Sequence, residues 1–208
     1  MINLHDDETT GVEAAKKVLE KTGGILLSIE NNGERLITFT KYKRTFRFDP
    51  NRMFTRAGIK ASLLEQNKHN GDLVLETVYN FARFCLRTIP SSHTLIALHN
   101  NHERGLSVLS YMKGGDLEQD ASAVNKNDSH DPDNFYLTTD EQLFRHLKTA
   151  GYNVVLQNNK KATDDGSLSI YYGKKKKSYI NIEAKKGMVT QQTQMIETVA
   201  RIIQTFKK

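Results

Sequence analysis

The sequence predicts an α/β fold, a three-layer sandwich with helices on both faces of a mixed, largely parallel central sheet. Three observations carry this expectation. Short apolar runs alternate along the chain with longer segments of helical spacing. The run Thr94-Leu95-Ile96-Ala97-Leu98 is apolar without polar alternation, as a strand buried on both faces requires. Asn-Gly, Asp-Pro and Asp-Gly pairs punctuate the segments with turn chemistry.

Each element follows in order. Ile2-Asn3-Leu4 is a short strand that ends in His5, with Glu8 three residues on. The pattern then becomes helical. Thr10 and Glu13 have capping-box spacing, Val12, Ala15, Val18 and Leu19 share one face, and Gly23 stops the helix. Residues 25–29 read as a mostly buried strand, turned by Asn32-Gly33 into a β-hairpin with residues 36–39. Residues 45–48 continue as a strand until Asp49-Pro50-Asn51-Arg52, where Pro50 removes a ladder donor. A short helix from Arg56 to about Asn67 and a longer one from Asp72 to Arg87 come next, the second carrying Leu73, Val74, Val78, Phe81 and Cys85 at helical spacing.

The Thr94–Leu98 strand ends in His99, repeating the Leu4-His5 layout. Residues 106–111 read as a further strand, and residues 113–134, rich in Asp, Asn, Ser and Gly, as a long surface loop. Thr139 and Gln142 open a helix with Leu143, Phe144 and Leu147, ended by Gly151 and followed by the strand Val154-Val155-Leu156. Ile170-Tyr171-Tyr172 and Tyr179-Ile180-Asn181-Ile182 read as strands flanking Lys174-Lys175-Lys176-Lys177, a solvated hairpin turn, and the second ends in Glu183. A final helix places Met195, Ile196, Val199, Ile202, Ile203 and Phe206 on one stripe.

A chain of 208 residues with 38% hydrophobic and 26% charged content suits one soluble globular domain spanning residues 1–208. No apolar run approaches the roughly 20 residues of a membrane span. The net charge of +6 permits an anionic partner, but no aromatic residues interleave with the lysine run, so nucleic acid is not expected. Cys85 is expected to be a buried core residue. Oligomeric state is left open. The first strand looks clipped, which fits either an exported protein, periplasmic or secreted, whose leader is absent from this chain, or a cytoplasmic one.

His5, His99 and Glu183 each follow an apolar strand, and in an open α/β sheet ligands bind beyond the carboxyl ends of the strands. Two imidazoles and a carboxylate, here His5, His99 and Glu8, are a catalytic zinc set that leaves one position for water. Glu183 is placed to act as the base. His102 rivals His99 within the run His99-Asn100-Asn101-His102-Glu103, but neither helical zinc spacing is present. Asn51-Arg52 reads either as a substrate anchor or as a tied turn in which Asp49 pairs with Arg52 on the surface. His69, His93, His130 and His146 receive no role.

His5-x-x-Glu8, Asp49-Pro50-Asn51-Arg52-Met53-Phe54, the strand ending in His99, and Ile180-Asn181-Ile182-Glu183 together resemble, in order and context, the zinc carboxypeptidases and the succinylglutamate desuccinylase and aspartoacylase group. The resemblance implies a phosphorylase/hydrolase-like fold of the zinc carboxypeptidase type. It implies zinc held by His5, Glu8 and His99, a substrate carboxylate anchored by Asn51 and Arg52, and Glu183 as general base. A guanidinium can meet a carboxylate with two parallel hydrogen bonds. The activity implied is a metallopeptidase or amidase acting on a peptide, a peptidoglycan fragment or an acylated amino acid. Alternatives are an N-acetylmuramoyl-alanine-type amidase, an N-acyl amino acid deacylase, or a non-catalytic module binding an anionic peptide or glycan. The chain departs from the family in Asp6, where a small residue is usual, and in its short length. Arg44 or Arg47 is the candidate for the family's further arginine, and Tyr171 or Tyr172 for its covering tyrosine.

Overall fold

The computed structural model describes residues 1–67, 71–90, 94–101 and 105–206. The strands are β1 (Ile2–Asn3), β2 (Leu27–Ser28), β3 (Ile37–Lys41), β4 (Arg44–Phe48), β5 (Leu95–Asn101), β6 (Ala121–Asn125), β7 (Phe135–Thr138), β8 (Val154–Gln157) and β9 (Tyr179–Lys185). The helices are α1 (Thr9–Thr22), α2 (Arg56–Gln66), α3 (Leu75–Thr88), α4 (Glu141–Thr149), α5 (Leu168–Lys174) and α6 (Val189–Thr205). Seven strands form one sheet in the order β2-β1-β5-β9-β7-β8-β6, and β3 pairs with β4 apart from it. β2, β1, β5 and β9 run parallel, β7 is antiparallel to β9, β8 parallel to β7, and β6 antiparallel to β8. The sheet is mixed and mainly parallel, as expected.

The pleat of β5 sends Leu95 and Ala97 to one face and Ile96 and Leu98 to the other. On the first face they meet Ile59 and Leu63 of α2, Val78 and Cys85 of α3, Tyr172 of α5 and Phe46 of β4. On the second they meet Ala14 and Val18 of α1, Leu143 and Leu147 of α4, and Met195 and Val199 of α6. Each of these large aliphatic side chains, once buried, contributes about 1.5–3 kcal/mol. Cys85 is free and buried. Among the described residues no helix is long and apolar enough to cross a membrane.

The first face positions the chemistry. Its row along β5 continues from Ala97 to His99, and its row along β9 runs from Tyr179 through Asn181 to Glu183, with His99 opposite Glu183 in register. Apolar residues give way to polar ones at the strand ends.

Several expected elements differ, each for a local reason. Residues 25–29 contribute only the two-residue β2, which pairs parallel to β1 across α1 and forms no hairpin with residues 36–39. The Asp6 carboxylate accepts from the backbone N–H groups of Asn31 and Gly33 and holds this segment as a loop. The hairpin is β3–β4, turning at Tyr42 and Lys43 with φ of 53° and 58° and without the Asn-Gly signature. Residues 106–111 contain a 3₁₀ turn over Val108–Tyr111 in place of a strand, because the Ser107 N–H turns back onto Ser110 Oγ. Residues 113–134 include the edge strand β6. Ile170-Tyr171-Tyr172 lies in α5, where the Ser167 hydroxyl caps the Ile170 N–H and overrides the strand-like composition. The lysine run is therefore the exit of a helix and not a hairpin, with Lys176 at φ 52°. Asp140 and not Thr139 caps α4. Thr10 does not cap α1; its hydroxyl accepts from the Gly187 N–H.

Candidate metal centre and substrate pocket

A tight turn after β1, in which the Glu8 N–H donates to the His5 carbonyl at 3.1 Å, brings the His5 ring and the Glu8 carboxylate to one point. Glu8 Oε1 lies 3.0 Å from His5 Nδ1, and Glu8 Oε2 lies 3.0 Å from His99 Nδ1. The two rings are edge to face with centroids 5.2 Å apart. All three residues are buried, and one donor atom from each falls within 4.8 Å of the others, so the cluster could hold a metal ion. Glu8 occupies the N-cap position of α1 but makes no side-chain cap, its oxygens being engaged by the histidines and by Arg35.

The surroundings of His5 would suit a ligating imidazole. His5 Nε2 is 2.8 Å from Asp49 Oδ1, and Asp49 in turn accepts from the Asn51 N–H at 2.7 Å. A carboxylate behind a ligating imidazole fixes its tautomer and raises its donor strength. Buried His99 Nε2 has no protein partner. Burial opposes charge on His5, but the hydrogen bonds to Asp49 and Glu8 outweigh it and raise its pKa to about 9. Burial likewise opposes charge on Glu8, and the two histidines outweigh it, holding the carboxyl well below its ordinary range. Asp49 is pushed up by burial and drawn down further by His5, to about 2.

Glu183 stands on the central strand β9, buried, and not at a solvated sheet edge. Asn181 Nδ2 donates to its Oε1 at 2.9 Å. Burial raises its pKa, opposed in part by His99 and Asn181. His99, Glu8 and Glu183 share with Asn51 and Arg52 the wall of a cleft of about 480 Å³. A larger cavity of about 630 Å³ lies between α4 and α6 and contains none of these residues. Chemistry, and not size, picks out the smaller one.

The anchor residues sit on a 3₁₀ turn, Pro50–Arg52, whose Asp49 cap faces His5. Asp49 therefore pairs with His5, 44 residues away, and the expected surface contact with Arg52 is corrected. Asn51 Oδ1 accepts from the Leu168 N–H and ties the turn to α5. Arg52 Nη1 lies 2.8 Å from Asp165 Oδ2. The two loops are locked by the Phe54 N–H to the Gly166 carbonyl at 3.0 Å and by a glycine contact: a Cβ on Gly58 would lie 2.2 Å from Gly166 Cα.

Sequence reasoning brought His5, Glu8, His99, Asn51, Arg52 and Glu183 forward, and all six meet in this region. It missed Asp49 as the partner of His5, Arg35 as the partner of Glu8 at 2.6 Å, and Asp165. Arg44 and Arg47 are exposed on the β3–β4 hairpin, and Arg35 is the further arginine of the cleft. Tyr172 is in the core and Tyr171 packs near Phe54; Tyr111 and Tyr179 are the tyrosines of the cleft wall. His69, His93 and His102 lie outside the described residues.

Compared with protein-family models, curated proteins and solved structures, the chain matches none. The resemblance to zinc carboxypeptidases rests on its own residues.

Proposed function

We propose that this chain is a zinc-dependent hydrolase of the zinc carboxypeptidase type that cleaves an amide or peptide bond next to a free carboxylate. One observation carries the reading: His5 Nδ1 and His99 Nδ1 converge on the two oxygens of Glu8, within the same cleft as buried Glu183 and half-exposed Arg52. His5, Glu8 and His99 are the residues that would hold the ion. A bound zinc lowers the pKa of a water and polarises a carbonyl. Two imidazoles and one carboxylate suit zinc better than the all-oxygen cages of calcium or magnesium.

The protein's own residues do the rest. Glu183, made more basic than an ordinary carboxylate by burial, takes a proton from the attacking water and returns it to the leaving nitrogen. Asn181 holds the Glu183 carboxylate in place. Arg35, on the cleft wall, offers positive charge to a carbonyl oxygen that becomes negative. Arg52 anchors the substrate carboxylate. The reading admits a peptide, a peptidoglycan fragment or an acylated amino acid as substrate.

The test is metal content by mass spectrometry on the wild type and on His99→Ala side by side. Near-stoichiometric zinc that disappears in the variant supports the reading. A wild type that binds no zinc when zinc is supplied overturns it.

A further inference from the structure

We infer that the group held at Arg52 is the free α-amino acid end of the substrate, ammonium and carboxylate together, so that the bond cleaved is an amide on that amino acid's side chain. The inference rests on the metal-hydrolase reading above and revises one part of it: the scissile amide lies on the side chain of the anchored amino acid and not directly beside its carboxylate. It starts from Asp165, whose Oδ2 lies 2.8 Å from Arg52 Nη1 on the wall of the same cleft.

Asp165 is held where it stands. Its Oδ1 accepts from the Ser167 N–H at 2.9 Å, and its turn is packed onto the Arg52 turn through Gly166 and Gly58. A lone carboxylate arriving at Arg52 would meet a fixed negative charge within a few ångströms, and like charges at about 4 Å repel even when solvated. A carbon carrying both a carboxylate and an ammonium avoids this conflict. Its carboxylate takes Arg52 while its ammonium takes Asp165, and the closeness of the two groups on one carbon matches the closeness of Arg52 and Asp165. The cation of a lysine or arginine side chain lies several bonds from its own carboxylate and cannot serve both.

Opening the resident pair is easy. Arg52 and Asp165 side chains are 39% and 42% exposed, a range in which ion pairs are weak. With the α-amino and α-carboxylate groups both used in recognition, the scissile amide must sit on the side chain, either as an acylated ω-amine or as an amidated ω-carboxyl. Leu106, Leu117 and Leu137 line the cleft and suit an aliphatic stem. In either case the water oxygen bonds to the carbonyl carbon, the C–N bond breaks, and the nitrogen leaves with a proton, giving an acid and an amine without redox change.

Two pairs of isomers test this on the zinc-loaded full chain: Nε-alanyl-lysine against Nα-alanyl-lysine, and γ-glutamyl-alanine against α-glutamyl-alanine. The side-chain-linked isomer of at least one pair is expected to have a kcat/KM about tenfold or more above its partner. The pair that shows the preference tells whether the zwitterion lies on the leaving half or the acyl half. Asp165→Asn keeps an acceptor for the Ser167 N–H and removes the charge, so it is expected to erase the preference. Equal or better cleavage of the backbone-linked isomers in both pairs overturns the inference and leaves the hydrolase reading standing, as does a preference that survives in Asp165→Asn. No cleavage of any isomer by zinc-loaded protein overturns the inference, and the hydrolase reading is then decided by the zinc content of wild type and His99→Ala.

Discussion

Asp49 Oδ1 lies 2.8 Å from His5 Nε2, on the opposite edge of the imidazole from Glu8. The ring is thus held between two carboxylates, one belonging to the proposed ligand set and one behind it. Replacing Asp49 with Asn keeps the shape and removes the charge that strengthens His5 as a donor. Zinc affinity, measured by competition with a chromophoric chelator, is expected to fall about 10–100-fold in Asp49→Asn. Unchanged affinity would mean that Asp49 only shapes its turn.

The same pair sets a pH dependence. In protein stripped of metal, the folded-state pKa of His5 is about 9 against an ordinary 6.5. A raised histidine contributes stability that is fully present below its unfolded value and is lost as pH rises through the folded one. Unfolding free energy of the stripped protein is therefore expected to fall between about pH 6.5 and 9 by a total on the order of 3 kcal/mol, read as a falling melting temperature. The depressed Asp49 describes the same interaction and adds nothing further. Zinc needs the deprotonated Nδ1, so metal-loaded protein is expected to show no such drop. Parallel curves for the two forms would count against the ligand role of His5.

How much of this was legible in the sequence follows from where each signal lies. His5, His99 and Glu183 each follow an apolar run, so a local pattern points at them. The partners that tune them do not. Asp49 reaches His5 across 44 residues and Arg35 reaches Glu8 across 27, contacts that only the folded sheet and the β2–β3 loop create. Asp165 read as an ordinary turn residue because its charge partner, Arg52, lies on a separate loop. In the fold, the helices with broad apolar stripes were legible, while α5 was missed because its Ile-Tyr-Tyr core has strand composition and its cap is a single serine.

The glycine contact between α2 and the Asp165 turn yields a prediction in which two effects compete. Gly58→Ala would ordinarily stabilise a helix by about 1 kcal/mol. Here the added Cβ meets Gly166 Cα at 2.2 Å and the Arg52 carbonyl at 2.7 Å, both backbone atoms that cannot rotate away. Overpacking costs typically about 1–3 kcal/mol and is expected to win. Net destabilisation of about 1–2 kcal/mol by denaturant titration, with a raised KM as the Arg52 and Asp165 turns part, is the expected result. Gly23→Ala, at φ 68° with nothing within 4 Å and away from the cleft, serves as the comparison and carries only the left-handed backbone cost of about 1–2 kcal/mol, without a change in KM.

Glu183→Gln separates the proposed base from the proposed ligands. The substitution preserves the Asn181 contact region and the buried volume on β9, and it does not touch the atoms of His5, Glu8 and His99 that face one another. Zinc content is therefore expected to stay at the wild-type level while kcat falls roughly 100- to 10,000-fold, the range set by losing a positioned proton acceptor. Arg52→Ala, which removes the proposed substrate anchor, is expected to raise KM with a smaller effect on kcat. A Glu183→Gln protein that loses zinc would make Glu183 part of the metal site, and one that keeps both zinc and turnover would require another base in the cleft.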